Sequence, residues 1–192
     1  MAEIRSTSDI GRLRSRWTPA QTNIINERLA KGAIDAGTDL RGIRLLNPVN
    51  GHTFKNVDFS FCTADVMGQF LKVTLEGCGF CGAELGNTNF WADASICDFS
   101  NARFHVLNGR YEDCSFAGAD LTKLNQRGLT FVRCDFRHAN FRKATLVSCI
   151  FDHCTWGDNK FRSGSLCGST FIGDRPSPVS LGNTMLDDVI FK

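Results

Sequence analysis

Tyrosine is almost missing from this sequence, which holds one against sixteen phenylalanines and three tryptophans. Rings without a polar atom need no hydrogen-bond partner, so this aromatic set suits a dry interior. No run approaches eighteen apolar residues, which argues against a helical membrane span. The first thirty residues also lack the apolar stretch of a cleavable secretory signal. Charge of one sign is not in excess: 22 basic against 20 acidic side chains leave +2, so the whole molecule is neither polyanion nor polycation. An odd count of nine cysteines fits a reducing compartment better than a disulfide framework. A cytoplasmic protein is expected. The 192 residues, 42% hydrophobic and 22% charged, can bury a core and are not disordered as a whole.

What is present is a period of five. From Phe116 to Phe171 every fifth position holds Phe, Leu or Trp, with Gln126 the one exception. Two residues before each stands mostly a small or apolar one, as at Cys114, Ala119, Cys134, Ala139, Ala144, Cys149 and Cys154. Neither a helix period of 3.6 nor a strand period of 2 produces this. Upstream the pattern continues with slips. Phe54 and Phe59 share one register, and Phe70, Leu75, Phe80, Leu85 and Phe90 another. Phe99 and Phe104 come one residue early and Tyr111 two late. Among the phenylalanines only Phe61 is off-centre. Slips near 65–70, 91–98 and 105–110 are expected as bulges or short corner loops, where a solenoid tolerates insertion.

These units resemble the pentapeptide repeat family, whose unit reads small–Asp/Asn–Leu/Phe–polar–polar. The resemblance runs from about Thr38 to Phe171, with a looser return at Leu181, Leu186 and Phe191. It implies an all-β solenoid: a right-handed quadrilateral β-helix with four pentapeptides per coil. In it the central residue and the one two before it face inward, and the other three face out. Coils stack at about 4.8 Å as in any sheet, and stacking supplies the stability that a single coil lacks.

The ends differ from the middle. Residues 1–35 are expected to hold a flexible basic arm (1–16, with Arg12, Arg14 and Arg16) and a capping helix over 19–31. Thr18-Pro19-Ala20-Gln21 is a capping box with proline at the first helical position, and Gly32 can end the helix. Ile24, Ile25 and Leu29 form its apolar stripe, laid over the first coil to protect an open edge. The repeat β-helix spans 36–192, broken by a loop near 173–180 at Gly173-Asp174-Arg175-Pro176-Ser177-Pro178.

Several motifs imitate chemistry. Gly77-Cys78-Gly79-Phe80-Cys81-Gly82 matches the GxGxxG dinucleotide fingerprint, but that motif needs a following helix and Ala83-Glu84-Leu85 resumes the repeat. In the repeat register Cys78 points in and Cys81 out, so this CxxC is badly aimed for a dithiol pair. Cys134-x-x-x-His138 and Cys149-x-x-x-His153, with Cys154, offer zinc ligands. The register parts them: the cysteines take inward slots and the histidines outward corners. Cys62, Cys78 and Cys97 share that inward slot, and Cys114, Cys134 and Cys154, twenty apart, are expected to stack as a ladder of small hydrophobes. No catalytic triad or paired carboxylates stand out, and lone acids such as Asp120 and Asp135 suit backbone hydrogen bonding in the repeat. No enzyme, metal or cofactor is expected.

The outward positions carry what functional signal there is. The side centred on Leu121, Phe141 and Phe161 shows Lys123, Arg142, Lys143, Lys160 and Arg162, opposed by Asp120 alone. These cations either splay into water at little cost or form a plate for an anionic partner. The side of Gln126, Leu146 and Leu166 is nearly uncharged apart from Arg127, and that of Phe131, Phe151 and Phe171 exposes Val132, Ile150 and Ile172 as a small patch. The expected function is a non-catalytic protein-binding scaffold in which a rigid rod presents flat faces to a macromolecular partner. Neither sequence-specific nucleic-acid binding nor a membrane span is expected. The family resemblance implies an alternative, DNA-mimic protection of type II topoisomerases such as gyrase, though a charge of +2 and repeat-like C-terminal residues depart from that branch. A bacterial effector or immunity protein is a further alternative on fold analogy. A homodimer through Leu181, Leu186 and Phe191 is expected, since an uncovered solenoid end recruits other chains.

Overall fold

The computed structural model describes residues 6–65 and 68–192. Short parallel strands stack into a four-sided β-solenoid. The first side stacks Asp39, Asp58, Gly79, Asp98, Ser115, Asp135 and Thr155, each one residue before its inward ring or leucine. The second runs from Arg44–Leu45 through Thr63–Ala64, Glu84–Leu85 and Arg103–Phe104 to Asp120, Asn140 and Lys160. The third pairs Val49 with Phe70, Phe70 with Phe90, and Phe90 with Leu107. It resumes where Asn125–Arg127 pairs with Thr145–Val147, and Thr145, Ser165 and Met185 then follow one another. The fourth stacks Phe54, Leu75, Ala94, Tyr111, Phe131, Phe151, Phe171 and Phe191.

Five residues suffice for a side because the chain turns on a left-handed residue two positions past most inward rings and leucines. After the first side that residue is Gly42, Phe61, Gly82, Asn101, Gly118 or His138. This accounts for Phe61, the phenylalanine outside the inward column: its ring lies over Gly82, where a Cβ would meet it at 2.7 Å. The other fifteen phenylalanines point inward, and all but Phe191 are buried. Their rings touch from coil to coil, as in the stack of Phe80, Phe99, Phe116 and Phe136.

Of the two forms expected for the slips, bulges and corner loops, the structure shows irregularities of the bulge kind inside strands. Phe70–Glu76, Glu84–Ser95 and Arg103–Glu112 are the longest strands among the described residues. Their register shifts between Phe70 and Val73 and between Leu85 and Asn89. Residues 66–67, within the first expected slip, lie outside the described residues. Phe116 stacks directly on Phe99, so the coil between them is shorter than its neighbours. Gly109 makes the short path passable: its φ is +109°, and a Cβ there would collide with the Ala92 carbonyl.

The cysteines expected at inward slots are buried, and the ladder is longer than the three residues expected for it. Cys78, Cys97, Cys114, Cys134 and Cys154 are all buried at successive coils, and the Cys78 amide donates to the Cys97 sulfur at 3.3 Å. The thiols also donate to carbonyls, Cys97 to Ser95 at 3.2 Å and Cys114 to Glu112 at 3.2 Å. Burial pushes the Cys149 thiol up to about 11. His138 and His153 stand outside on the surface, and no group of three or more metal-ligating side chains gathers among the described residues.

The expected basic arm is instead a second helix. Helix α1 (Thr7–Ser15) starts on a Ser6 cap, and its backbone lies against Gly42. Arg14 reaches Glu84 at 2.8 Å and the Phe61 carbonyl at 3.2 Å, and Arg16 reaches Asp39 at 2.7 Å. Carboxylates of the solenoid thus bind Arg14 and Arg16, which the sequence suggested were free, while Arg12 pairs with Asp9 of its own helix. Residues 1–5 lie outside the described residues. Helix α2 (Pro19–Ala30) carries the capping box of Thr18 and Gln21. Its buried face is Thr22, Asn26 and Leu29, whereas Ile24 is exposed. The reason is polar: Asn26 donates to the Arg44 carbonyl at 2.8 Å and accepts from the Leu46 amide at 2.7 Å, continuing the strand ladder at the first coil.

At the other end the break at 173–180 includes a helical turn, α3 (Pro178–Leu181), capped by Ser177. Leu181 is buried within its own chain, so it cannot serve a dimer surface as expected. Leu186 and Phe191 are exposed, together with Met185 and Ile190. Phe191 does stack on Phe171, at 5.4 Å, and the Arg175 guanidinium lies over its outer face at 4.9 Å. The expected patch of Val132, Ile150 and Ile172 is smaller than supposed, because Val132 is buried between the rungs of Glu112 and Asp152.

Candidate functional site

Most carboxylates on the outer surface are already matched with arginine or lysine. Asp39 binds Arg16 and Arg41, and the hydrogen bond from Arg41, followed by that from Arg16, holds its carboxyl far below the usual range. Asp135 is lowered chiefly by its hydrogen bond to Arg137. Arg133 binds both Glu112 and Asp113, and Arg44 binds Asp65. Such pairs are weak individually, but they leave little net field where they occur.

The last three coils of the second side break this rule. Lys123, Arg142, Lys143, Lys160 and Arg162 are all exposed, and none has a carboxylate within 4.0 Å among the described residues. Asp120, expected to oppose them, is turned instead toward Arg103 of the preceding coil at 3.2 Å. The repeat itself fixes their places. Arg142 and Arg162 each follow a buried ring, Phe141 and Phe161, and Lys123 and Lys143 occupy left-handed corners with φ of 61° and 60°. Lys160 ends the row that begins with Arg44.

Sequence reasoning missed a wall beside this plate. Helix α3 stands against the second side, the Ser180 carbonyl accepting from the Phe161 amide at 3.0 Å. Between α3 and the strands open two adjoining clefts of about 520 and 430 Å³. Arg142, Arg162 and Val179 line both; Lys160 belongs to the first and Lys143 to the second. Lys123 lines neither. The signal for α3 was legible as Ser177 followed by Pro178, a cap with proline at the first helical position. A further cleft of about 400 Å³ lies beneath α1 and α2, but its arginines, Arg14 and Arg44, are already paired with Glu84 and Asp65.

Residues 114–152 match the model of the pentapeptide repeats in eight copies. Residues 114–152 are therefore pentapeptide repeats. No curated protein matches the chain. Among solved structures it is similar to a trypsin-treated form of QnrB1, described as a plasmid-mediated fluoroquinolone resistance protein. The identity is 18%, coverage 82% of this chain and 90% of that one, and the TM-score 0.40. It is also similar to HetL, a pentapeptide repeat protein involved in heterocyst differentiation regulation from the cyanobacterium Nostoc sp. strain PCC 7120. There the identity is 16%, coverage 86% and 90%, and the TM-score 0.40.

Proposed function

We propose that this chain is a non-catalytic scaffold that binds an acidic protein partner on its second side. The observation that carries the reading is the stripe of five unneutralised cations, on a surface where most other arginines have found carboxylates. A rigid stack fixes the spacing of these charges at about 4.8 Å per coil, so a complementary partner pays little to organise them. Repulsion between like charges on neighbouring rungs is unfavourable in the free protein, and an anionic partner relieves it. Protection of a topoisomerase by imitating DNA requires the opposite surface, a dense unpaired array of acids. Here Asp39, Asp120, Asp135 and Glu112 are drawn into arginine pairs.

Affinity capture from the native host tests the reading. The wild-type chain is compared with the triple variant Lys123→Glu, Lys143→Glu, Arg162→Glu, with captured proteins quantified by mass spectrometry. A partner retained by wild type, lost with the variant and lost in high salt is the expected result, since exposed charges are screened. An identical captured set from both proteins would contradict it.

A further inference from the structure

The repeat is altered where the two basic clefts lie. The inward slot that holds Ala119 and Ala139 in the preceding coils is occupied by Asn159, which is buried. Its amide donates to the carbonyls of Phe136 and Ala139, and its oxygen accepts from the Gly157 amide at 2.9 Å. At this corner Asp158 lacks the left-handed φ that His138 has one coil before. On the opposite wall the solenoid interrupts its strands for α3, and Gly182 ends that turn with φ of +54°. The Arg162 stem passes 3.4 Å from where a Gly182 Cβ would stand, so the arginine is laid along the cleft. Local departures from a repeat's own rule are where function is to be sought.

The lining is chemically specific. Two arginines, Arg142 and Arg162, and Lys160 meet the exposed Ser177 in a space of about 520 Å³, within the range of small-ligand sites. Lys143 and Asn183 extend the lining next door. Planar guanidinium forks match the oxygens of phosphate, and lysine adds a point charge. One carboxylate, Asp158, stands at the rim with His138 at 4.0 Å. A single carboxylate ligand would neutralise one of these cations. A phosphate monoester, which carries about two charges and three acceptor oxygens, neutralises two and leaves an oxygen for the third.

We propose that this cleft is a phosphate-monoester site, formed by Arg142, Lys160 and Arg162 against the α3 wall. The inference rests on the reading of the second side as the binding face. The group could arrive on a phosphorylated side chain of a partner or on a small free phosphate compound, and both present the same dianion.

The test is titration of the isotope-labelled full chain, followed by amide NMR. The probes are inorganic phosphate, sulfate, and a Gly–phosphoserine–Gly tripeptide blocked at both ends. Saturable shifts at the Ser163, Ser180 and Asn183 amides are expected, half-complete near about 1 mM. The Arg142→Gln, Arg162→Gln double variant should weaken them at least tenfold while its spectrum stays dispersed, and Arg127→Gln should change nothing. The tripeptide should weaken about fourfold between pH 7.5 and 5.5, as its second ionisation near 6 is reversed. Sulfate, doubly charged at both values, should not weaken, and it controls for any effect of pH on the protein itself. Tighter binding of the tripeptide than of phosphate assigns the site to a phosphorylated protein, and the reverse to a free phosphate compound. Shifts that never saturate, or that persist in the double variant, would overturn the proposal. The titration uses the pure chain, so it can fail while the capture experiment succeeds, and the two failures are told apart.

Discussion

Phe141 and Phe161 lie face to face, ring centroids 4.5 Å apart and planes 2° from parallel. The residues that follow them, Arg142 and Arg162, therefore leave the solenoid one directly above the other. The buried stack thus sets the register of the outer charges. Phe141→Ala removes this stack together with the contacts to Phe136 and Trp156. It should destabilise the protein by about 3–5 kcal/mol through the lost side chain and the cavity left behind. Urea denaturation followed by circular dichroism measures this, and a change under 1 kcal/mol would contradict the packing described.

Lys143 sits at a corner with φ of 60°. A side chain in that conformation costs about 1–2 kcal/mol, whereas glycine escapes it at an entropic cost of about 0.5–1 kcal/mol. Glycine does stand at equivalent corners, as at Gly42 and Gly118. Lys143→Gly should therefore leave stability unchanged or raise it by up to about 1 kcal/mol, while weakening partner binding. A marked loss of stability would mean that the lysine is held for the fold.

Acid should loosen the N-terminal helix before it unfolds the coils. The Asp39 carboxyl is depressed by its bonds to Arg41 and Arg16. Its stabilisation is thus complete above the unfolded value of about 3.9, and is lost as pH falls through the lower folded value. Asp39→Asn should be less stable than wild type at pH 7, with the gap closing from about pH 4 downward. Half-exposed groups are screened, so the gap should also shrink in salt. Thermal melts of both proteins across this range decide the matter, and a gap independent of pH would refute the assignment.

Much of this molecule could be read from its sequence because the period of five is a one-dimensional record of the fold. Inward slots, the cysteine column from Cys114 to Cys154 and the capping box at Thr18 all follow from spacing and local chemistry. What spacing does not encode is which outward charges meet. Arg14 and Glu84, or Arg103 and Asp120, become partners only once coils are stacked, so α1 read as a loose arm and Asp120 as an opponent of the lysines. The cleft was hidden for a related reason. Its far wall, α3, interrupts the repeat, and Asn159 makes hydrogen bonds at its corner that no periodicity announces.

Self-association is expected at the C-terminal coil, with Leu186 and Phe191 but without Leu181. Phe191, Met185 and Ile190 remain exposed beside them, and among the described residues the strand of Ile190–Phe191 is paired on one side only. Edges of this kind recruit a second chain, and closed pairs are the commonest outcome. Light scattering at micromolar concentration should give twice the chain mass. A value near 21.2 kDa would show that Arg175 over Phe191 is cover enough.

Site-specific photocrosslinking in the native host tests the central claim most directly. A photoreactive residue is placed at position 143, on the unpaired basic plate, and in a second protein at position 55, where Lys55 is paired with Glu76 on the fourth side. The account predicts a discrete crosslinked protein partner from position 143, lost when Arg162 is reversed to Glu, and none from position 55. Partners captured from position 55 and not from 143 would contradict it.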